Sequence, residues 1–370
     1  MSSAPTTRHA LVFETPEQPL VLKSEPIQTP TAHGSAVVRI LSTTTRPHNK
    51  ASFAGKRVLP VTAPYVPGNS AIARVIDVGP DAVSLAKGQL VYVSGFITAR
   101  DDHTNSQVLL GFSDLGASQS KKLFKAWPGL WADVATVPQE NCVPLNESLL
   151  CGTMAYTLGQ LEYIDRLAVA NGGVSSAALR AGETVIVCPA TGHFSGAVVE
   201  LAAQIGCHVV ALTRSAAKLE PLTARHARIR PVELTGDVDA DAKAIRAACP
   251  QGMADALIDV SPHEAAASPS HLHAGLKVLC GHGRVVFLGA MENVSIPYMS
   301  IMARNIAIKG QFMFTREMTA ALVKMIESGV VKLGKEAGHN VRAYKMEDWQ
   351  QAIAEAETAT NWGEQIVLEP

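Results

Sequence analysis

The chain has 370 residues, 47% apolar and 18% charged: too long for one hydrophobic core, and enough for two domains of roughly 100–200 residues each. Its formal charge of −1, without a basic stripe, argues against nucleic acid and anionic membrane as partners. No apolar run reaches the ~18 residues of a membrane span, "MSSAPTTRHALVFETPEQP" lacks the apolar core of a secretory signal, and the six scattered cysteines form no C-x-x-C. A cytoplasmic protein with reduced thiols is expected.

The first third is built of short β-type runs, "AVVRIL" (36–41), "AIARVIDVG" (71–79) and "GQLVYVSGF" (88–96). Pro64, Pro67-Gly68 and Gly79-Pro80 punctuate them, which predicts a partly open β-barrel. Residues 98–130 read as a polar, irregular insert, a surface lobe or a lid. After Cys151 strands and helical patterns alternate. "ETVIVC" is followed by the helix "GAVVELAAQIG", the strand "HVVALT" (208–213) and a helix from Ala216. The strands "DALIDV" (255–260), "GRVVFLGA" (283–290) and "GQFMF" (310–314) continue the series. Such spacing predicts βαβ units in a doubly wound parallel sheet of Rossmann type. "TREMTAALVKMIESG" reads as an amphipathic helix and "EQIVLEP" as a closing strand. The chain is therefore α/β: a β-rich domain interrupted by a Rossmann domain, with the C-terminus returning to the first.

The turn "PATGHFSG" between "VIVC" and its helix carries the chemistry. A diphosphate needs backbone N–H donors, the positive end of a helix and little side chain in the way. Ala190, Thr191, Gly192, His193, Phe194 and Ser195 form the candidate cradle, although G-x-G-x-x-G is reduced to A-x-G-x-x-S. The preceding strand, the following helix and a second strand about 20 residues on support the dinucleotide reading over an ordinary strand–helix joint. At the end of that second strand an acidic residue would select NAD through the ribose diol. Thr213 stands there, followed by Arg214, Ser215 and Lys218, so NADP(H) is the expected cofactor, a guanidinium being suited to its 2′-phosphate. The alternative is a solvated surface arginine.

These motifs, with "YVPGNSAIARVIDVGPDAVSLAKGQLVY" and "GLWADVATVPQENCVPLNE", give the chain a resemblance to the medium-chain dehydrogenase/reductase superfamily. "PATGHFSGAVVELAAQIG" is most similar to its zinc-free alcohol-dehydrogenase-like and quinone-oxidoreductase-like branch. The resemblance implies a GroES-like catalytic domain at 1–152 and 315–370, a cofactor domain at 153–314, and an active site in the cleft between them. It also implies a homodimer paired through an edge strand, whose place "NVSIPYM" (293–299) occupies. Zinc relatives bind metal where this chain carries Arg46, Asn69 and Cys151, with Ser70 in place of a glutamate. One thiolate cannot supply three protein ligands, so a metal-free site is expected. His271, His273 and His282 form no ligand spacing.

In the family the segment "RPHNK" lines the cleft. His48 stands where a hydroxyl proton relay is usual and Asn49 where an aspartate is usual. His48 is thus the candidate proton donor, and Arg46 the candidate stabiliser of a developing oxyanion. A structural loop histidine is the equal alternative. Tyr65 is a further candidate acid. Val260, the Leu288-Gly289-Ala290 loop and Phe312 are expected at the nicotinamide end, with Gly289 giving close approach or simply ending a strand. The expected function is hydride transfer from NADPH to the activated C=C of a small-molecule substrate such as an enone, quinone or enoyl compound. Carbonyl or alcohol chemistry, or mere NADPH binding, are the alternatives.

Overall fold

The computed structural model describes residues 5–16, 18–56 and 59–370. They form two compact units, 1–165 with 340–360 and 364–370, and 166–339 with 361–363. This division departs from the expected boundaries: the helix Arg316–Glu327 belongs to the second unit, and the chain returns to the first only at Asn340. Asn171 Nδ2 donates to Met318 O, a contact that ties this helix to Ile164–Ser176.

The first unit is a GroES-like, partly open barrel. Its sheet runs in the order Asn340–Lys345, Glu364–Glu369, Ser35–Thr44, Ala71–Val78, Leu90–Val93, Cys142–Pro144, and Val134–Pro138 pairs with Ser35–Thr44 from outside that path. Alternation explains the closure. Ala36, Val38, Ile40, Ala71, Ala73, Val75, Val91 and Val93 share one face and pack with Trp131, Leu130 and Ile366. Ser42, Ile72 and Tyr92 are paired across three strands and are also fully buried. A barrel strand buried on both faces is where polar residues gain a dry environment. The stretch expected to be irregular holds a hairpin (Phe96–Thr98 with Gln107–Leu109) and the helix Ser118–Ala126. That helix buries Ser120 and Phe124, one turn apart, and exposes Lys121, Lys122 and Lys125.

The second unit is a Rossmann-type sheet of six parallel strands. Their order is Ile229–Glu233, His208–Thr213, Thr184–Cys188, Ala254–Asp259, Leu279–Phe287, Ala307–Gly310. Thr184–Cys188 is buried throughout, as a strand covered on both faces must be. The order reverses between Thr184–Cys188 and Ala254–Asp259, and ligands of such sheets bind at the carboxyl ends beside that point. Three expectations are corrected. The edge strand is Ala307–Gly310, and the expected strand "GQFMF" begins only where that strand ends; "NVSIPYM", the expected edge, forms no strand, and Tyr298–Ala303 is a helix; and from Ala216 there is only a 3-10 turn before the short helix Glu220–Thr223. Pro297 immediately before Tyr298 has no N–H for a strand ladder and suits a helix start. Among the described residues no helix is long and apolar enough to cross a membrane.

Candidate active site

In the second unit the strand Thr184–Cys188 feeds the helix His193–Gln204 through the expected turn. Gly192 is the N-cap residue; its N–H donates to Ser195 Oγ at 3.0 Å, and its carbonyl accepts the first helical bond from Gly196 at 2.7 Å. The N–H groups of His193, Phe194 and Ser195 precede that bond and point out of the helix start. Ala190 is buried and anchored to Leu212 O at 2.9 Å, while Thr191, Gly192 and Phe194 are half-buried. A twelve-residue helix capped by Gly192 at the sheet's switch point fits a dinucleotide diphosphate.

The turn is braced from behind. Asn361 makes a β-bridge to Gly192, and Trp362 packs so closely on Gly196 that a Cβ there would meet its ring at 2.6 Å. Trp362 Nε1 donates to Glu200 Oε2 at 2.9 Å, and His339 Nε2 lies 2.8 Å from Glu200 Oε1. Gly334 N–H donates to His339 Nδ1, leaving Nε2 as the protonated nitrogen that donates to Glu200. Gln204 adds a third donor to the carboxylate. None of Glu200, His339 or Trp362 was a sequence candidate. A glutamate on the apolar face of "GAVVELAAQ" was the available signal.

At the expected adenosine end Arg214 and Lys218 are exposed and Ser215 half-buried, following the strand that ends at Thr213. The Thr213 hydroxyl is engaged with the Ser215 backbone, donating to its carbonyl and accepting from its N–H at 3.0 Å each. At the other end Val260 N–H bonds to Cys188 O, Leu288 N–H to Asp259 O and Ala290 N–H to Ser261 O. A Cβ on Gly289 would lie 2.3 Å from Ser261 O, so the close approach there is that of the neighbouring loop. Phe312 is half exposed. His271, expected to be no metal ligand but a solvated or hydrogen-bonded histidine, is hydrogen-bonded: its Nε2 lies 2.9 Å from Ser261 Oγ and 3.2 Å from Asp259 Oδ2, all three residues buried. Burial, aided by Asp259, pushes the Cys188 thiol well up, and burial holds Cys207 and Cys249 at about 11, so these thiols stay protonated and inert.

In the first unit the turn after Ser35–Thr44 is closed by Asn49, whose Oδ1 accepts from the Arg46 N–H. Asn49 therefore positions the Arg46 backbone. The buried guanidinium reaches Asp165 Oδ2 at 2.7 Å and Asn69 Oδ1 at 3.2 Å through Nη2. Gly68, at φ +94, precedes Asn69 and admits Trp131 where a Cβ would collide at 2.4 Å. Ser70 Oγ donates to buried Glu162 at 2.5 Å. The fully buried Tyr92 hydroxyl is pushed well above its ordinary range by burial first and by Asp165 and Glu162 next, so it stays neutral. His48 is the exposed N-cap residue of the helix Asn49–Phe53, its ring 4.9 Å from that of Phe112. Tyr65 lies elsewhere in the barrel, its ring between Phe13 and Phe124 along a pocket of about 710 Å³.

Two sequence families match the chain: the alcohol dehydrogenase GroES-like domain over residues 32–147 and the zinc-binding dehydrogenase over 195–328. The chain belongs to the medium-chain dehydrogenase/reductase superfamily. It is an oxidoreductase of that superfamily, whose members use a nicotinamide cofactor. Solved structures share the fold at low identity. A thermostable alcohol dehydrogenase from Pyrobaculum aerophilum is 21% identical with a TM-score of 0.71, over 98% of this chain and 100% of that one. An E. coli CFT073 protein described as a short chain alcohol dehydrogenase, solved with NADH, is 16% identical with a TM-score of 0.75, over 99% and 100%. An alcohol dehydrogenase superfamily protein from Novosphingobium aromaticivorans is 17% identical with a TM-score of 0.70, over 98% and 99%. No curated protein sequence matches the chain significantly.

The zinc in the second family's name can be tested against the donor set. Arg46 and Asn69 do come together, but the third corner is Asp165, and the expected Cys151 is not part of it. Cys151 lies half-buried where Glu147 and Arg74 are the charges acting on it, and burial raises its thiol. A guanidinium, an amide and one carboxylate do not fit a zinc ion, which needs three anionic or imidazole ligands and an open position. Asp165 is already bound to a fixed cation and Glu162 to the Ser70 hydroxyl, and among the described residues no group of three His, Cys, Asp or Glu side chains could hold a metal.

Proposed function

We propose that the protein is a zinc-independent, NADP(H)-linked reductase that delivers hydride to the activated C=C of a small enone, quinone or enoyl substrate. The observation that carries this reading is the buried Arg46–Asp165 ion pair, Arg46 being the residue that the sequence resemblance matches to a zinc ligand. A plain ketone or alcohol relies on a Lewis acid to take up charge at oxygen. Addition to a conjugated acceptor spreads that charge over an enolate, which hydrogen-bond donors of a guanidinium can stabilise. NADPH, when bound, supplies the hydride. The turn from Ala190 to Ser195 holds the diphosphate, and Arg214, Ser215 and Lys218 hold the 2′-phosphate, on the support of their placement at the strand ends. Arg46 serves as the fixed electrophile, kept in place by Asp165, Asn69 and Asn49. His48, exposed beside Phe112, delivers the proton.

The same geometry supports a homodimer. Ala307–Gly310 is an edge strand, and Tyr298, Met299 and Met302 beside it are 78%, 71% and 56% exposed, an apolar surface that a second copy would cover. The second reading of the chemistry, NADP-dependent carbonyl reduction, is favoured by the alcohol dehydrogenase match over residues 32–147. NADPH deuterated at C4 separates the two. Label at the β-carbon of the product supports ene reduction, and label at a carbinol carbon overturns it.

A further inference from the structure

The strand Ile229–Glu233 lies parallel to His208–Thr213, and Thr213 is paired in register with Glu233. Leu234 N–H bonds to Thr213 O at 2.8 Å and locks that register at the carboxyl ends of both strands. Glu233 Oε2 then accepts the N–H of Ala216 at 2.9 Å, in the turn that carries Arg214 and Ser215. Glu233 is exposed, as are Arg214 and Lys218. The strand that should end in an acidic residue ends in Thr213, whose hydroxyl is engaged with Ser215, and its neighbour brings the missing carboxylate to the same place.

We propose that Glu233 is a specificity-determining residue that restrains the preference for NADP(H) set by Arg214, Ser215 and Lys218. The inference rests on the dinucleotide reading of this unit. A carboxylate held one residue from Ser215 repels a 2′-phosphate dianion and tolerates or hydrogen-bonds a ribose hydroxyl. Two cations and one anion around one adenosine terminus give a protein that takes both dinucleotides, with NADPH favoured by a narrow margin.

Glu233→Gln isolates the charge, because the amide oxygen can still accept the Ala216 N–H. Titration of the purified protein with NADPH and with NADH should show NADPH binding about three- to tenfold tighter in Glu233→Gln, the scale of an exposed charge acting on a dianion. NADH should bind equally well or more weakly. The gain should shrink at 1 M salt, where charges are screened beyond ~3 Å. Equal changes for both dinucleotides, or none, would overturn the role of Glu233 while leaving the cofactor reading intact. A wild-type protein that binds neither dinucleotide would overturn both.

Discussion

Asp165 in the barrel unit and Glu200 in the parallel-sheet unit are both buried carboxylates, yet their surroundings differ in kind. Glu200 is sealed, with donors from His339, Trp362 and Gln204 converging on it, and both it and His339 have side chains with no exposed surface. Asp165 instead meets a guanidinium that keeps 8% of its side chain exposed and shares it with the half-polar corner of Asn69. The first arrangement ties the C-terminal segment to the cofactor helix. The second holds a permanent cation, Arg46, at a position that the sequence resemblance matches to a metal ligand. Burial and pairing alone therefore do not mark function; the identity of the partner and its residual access do.

Breaking the sealed cluster should have the largest effect on stability. His339→Ala removes one of the three donors to the buried Glu200 carboxylate and should cost about 2–3 kcal/mol in urea unfolding; a loss below about 1 kcal/mol would show that the cluster does not brace the turn. Arg46→Met should lower turnover by about 10²–10³, the cost of losing an oxyanion donor. Asp165→Asn, which keeps the guanidinium, should retain turnover within about tenfold of wild type, a margin set by analogy with losing one supporting partner of a functional group. Equal losses in both variants would make the pair structural and erase the contrast with Glu200. A smaller change is expected from Arg214→Ala: NADPH binding about tenfold weaker, matching a lost charge-assisted hydrogen bond, and NADH nearly unaffected. Parallel losses for the two would remove the 2′-phosphate role. Dialysis against a strong chelator should change nothing, and activity lost and then restored by zinc would show that the Arg46 corner had been misread.

Much of the fold was legible because it follows from local pattern. The period-2 alternation of "AIARVIDVG" and the continuous apolar "VIVC" marked strands of different burial, and the small-residue turn before "GAVVELAAQIG" marked a helix N-terminus. The insert was misjudged because the helix "SQSKKLFKA" shows only two buried residues, too few for a periodic signal. "NVSIPYM" alternates like a strand, yet its proline favours the helix start that follows. Of the candidate site, the glycine turn could be found from the chain itself, and Arg46 and Asn49 only through the family resemblance. Asp165 could not be assigned, although a carboxylate within the apolar run "YIDRLAV" was a visible anomaly. Cys151 was named because the family resemblance matches its position to a ligand.

By itself the sequence determined the parts: strands, helices and the glycine-bearing turn that opens the helix His193–Gln204. The elements follow from side-chain periodicity and backbone freedom, which act over a few residues; the reading of Arg46 follows from the family resemblance instead. Only the tertiary structure decided which charges meet. His339 reaches Glu200 across 139 positions and Ser70 reaches Glu162 across 92, while Glu233 arrives beside Ser215 through strand pairing. Such pairings depend on sheet order and register, and electrostatic energy depends on distance in space rather than along the chain.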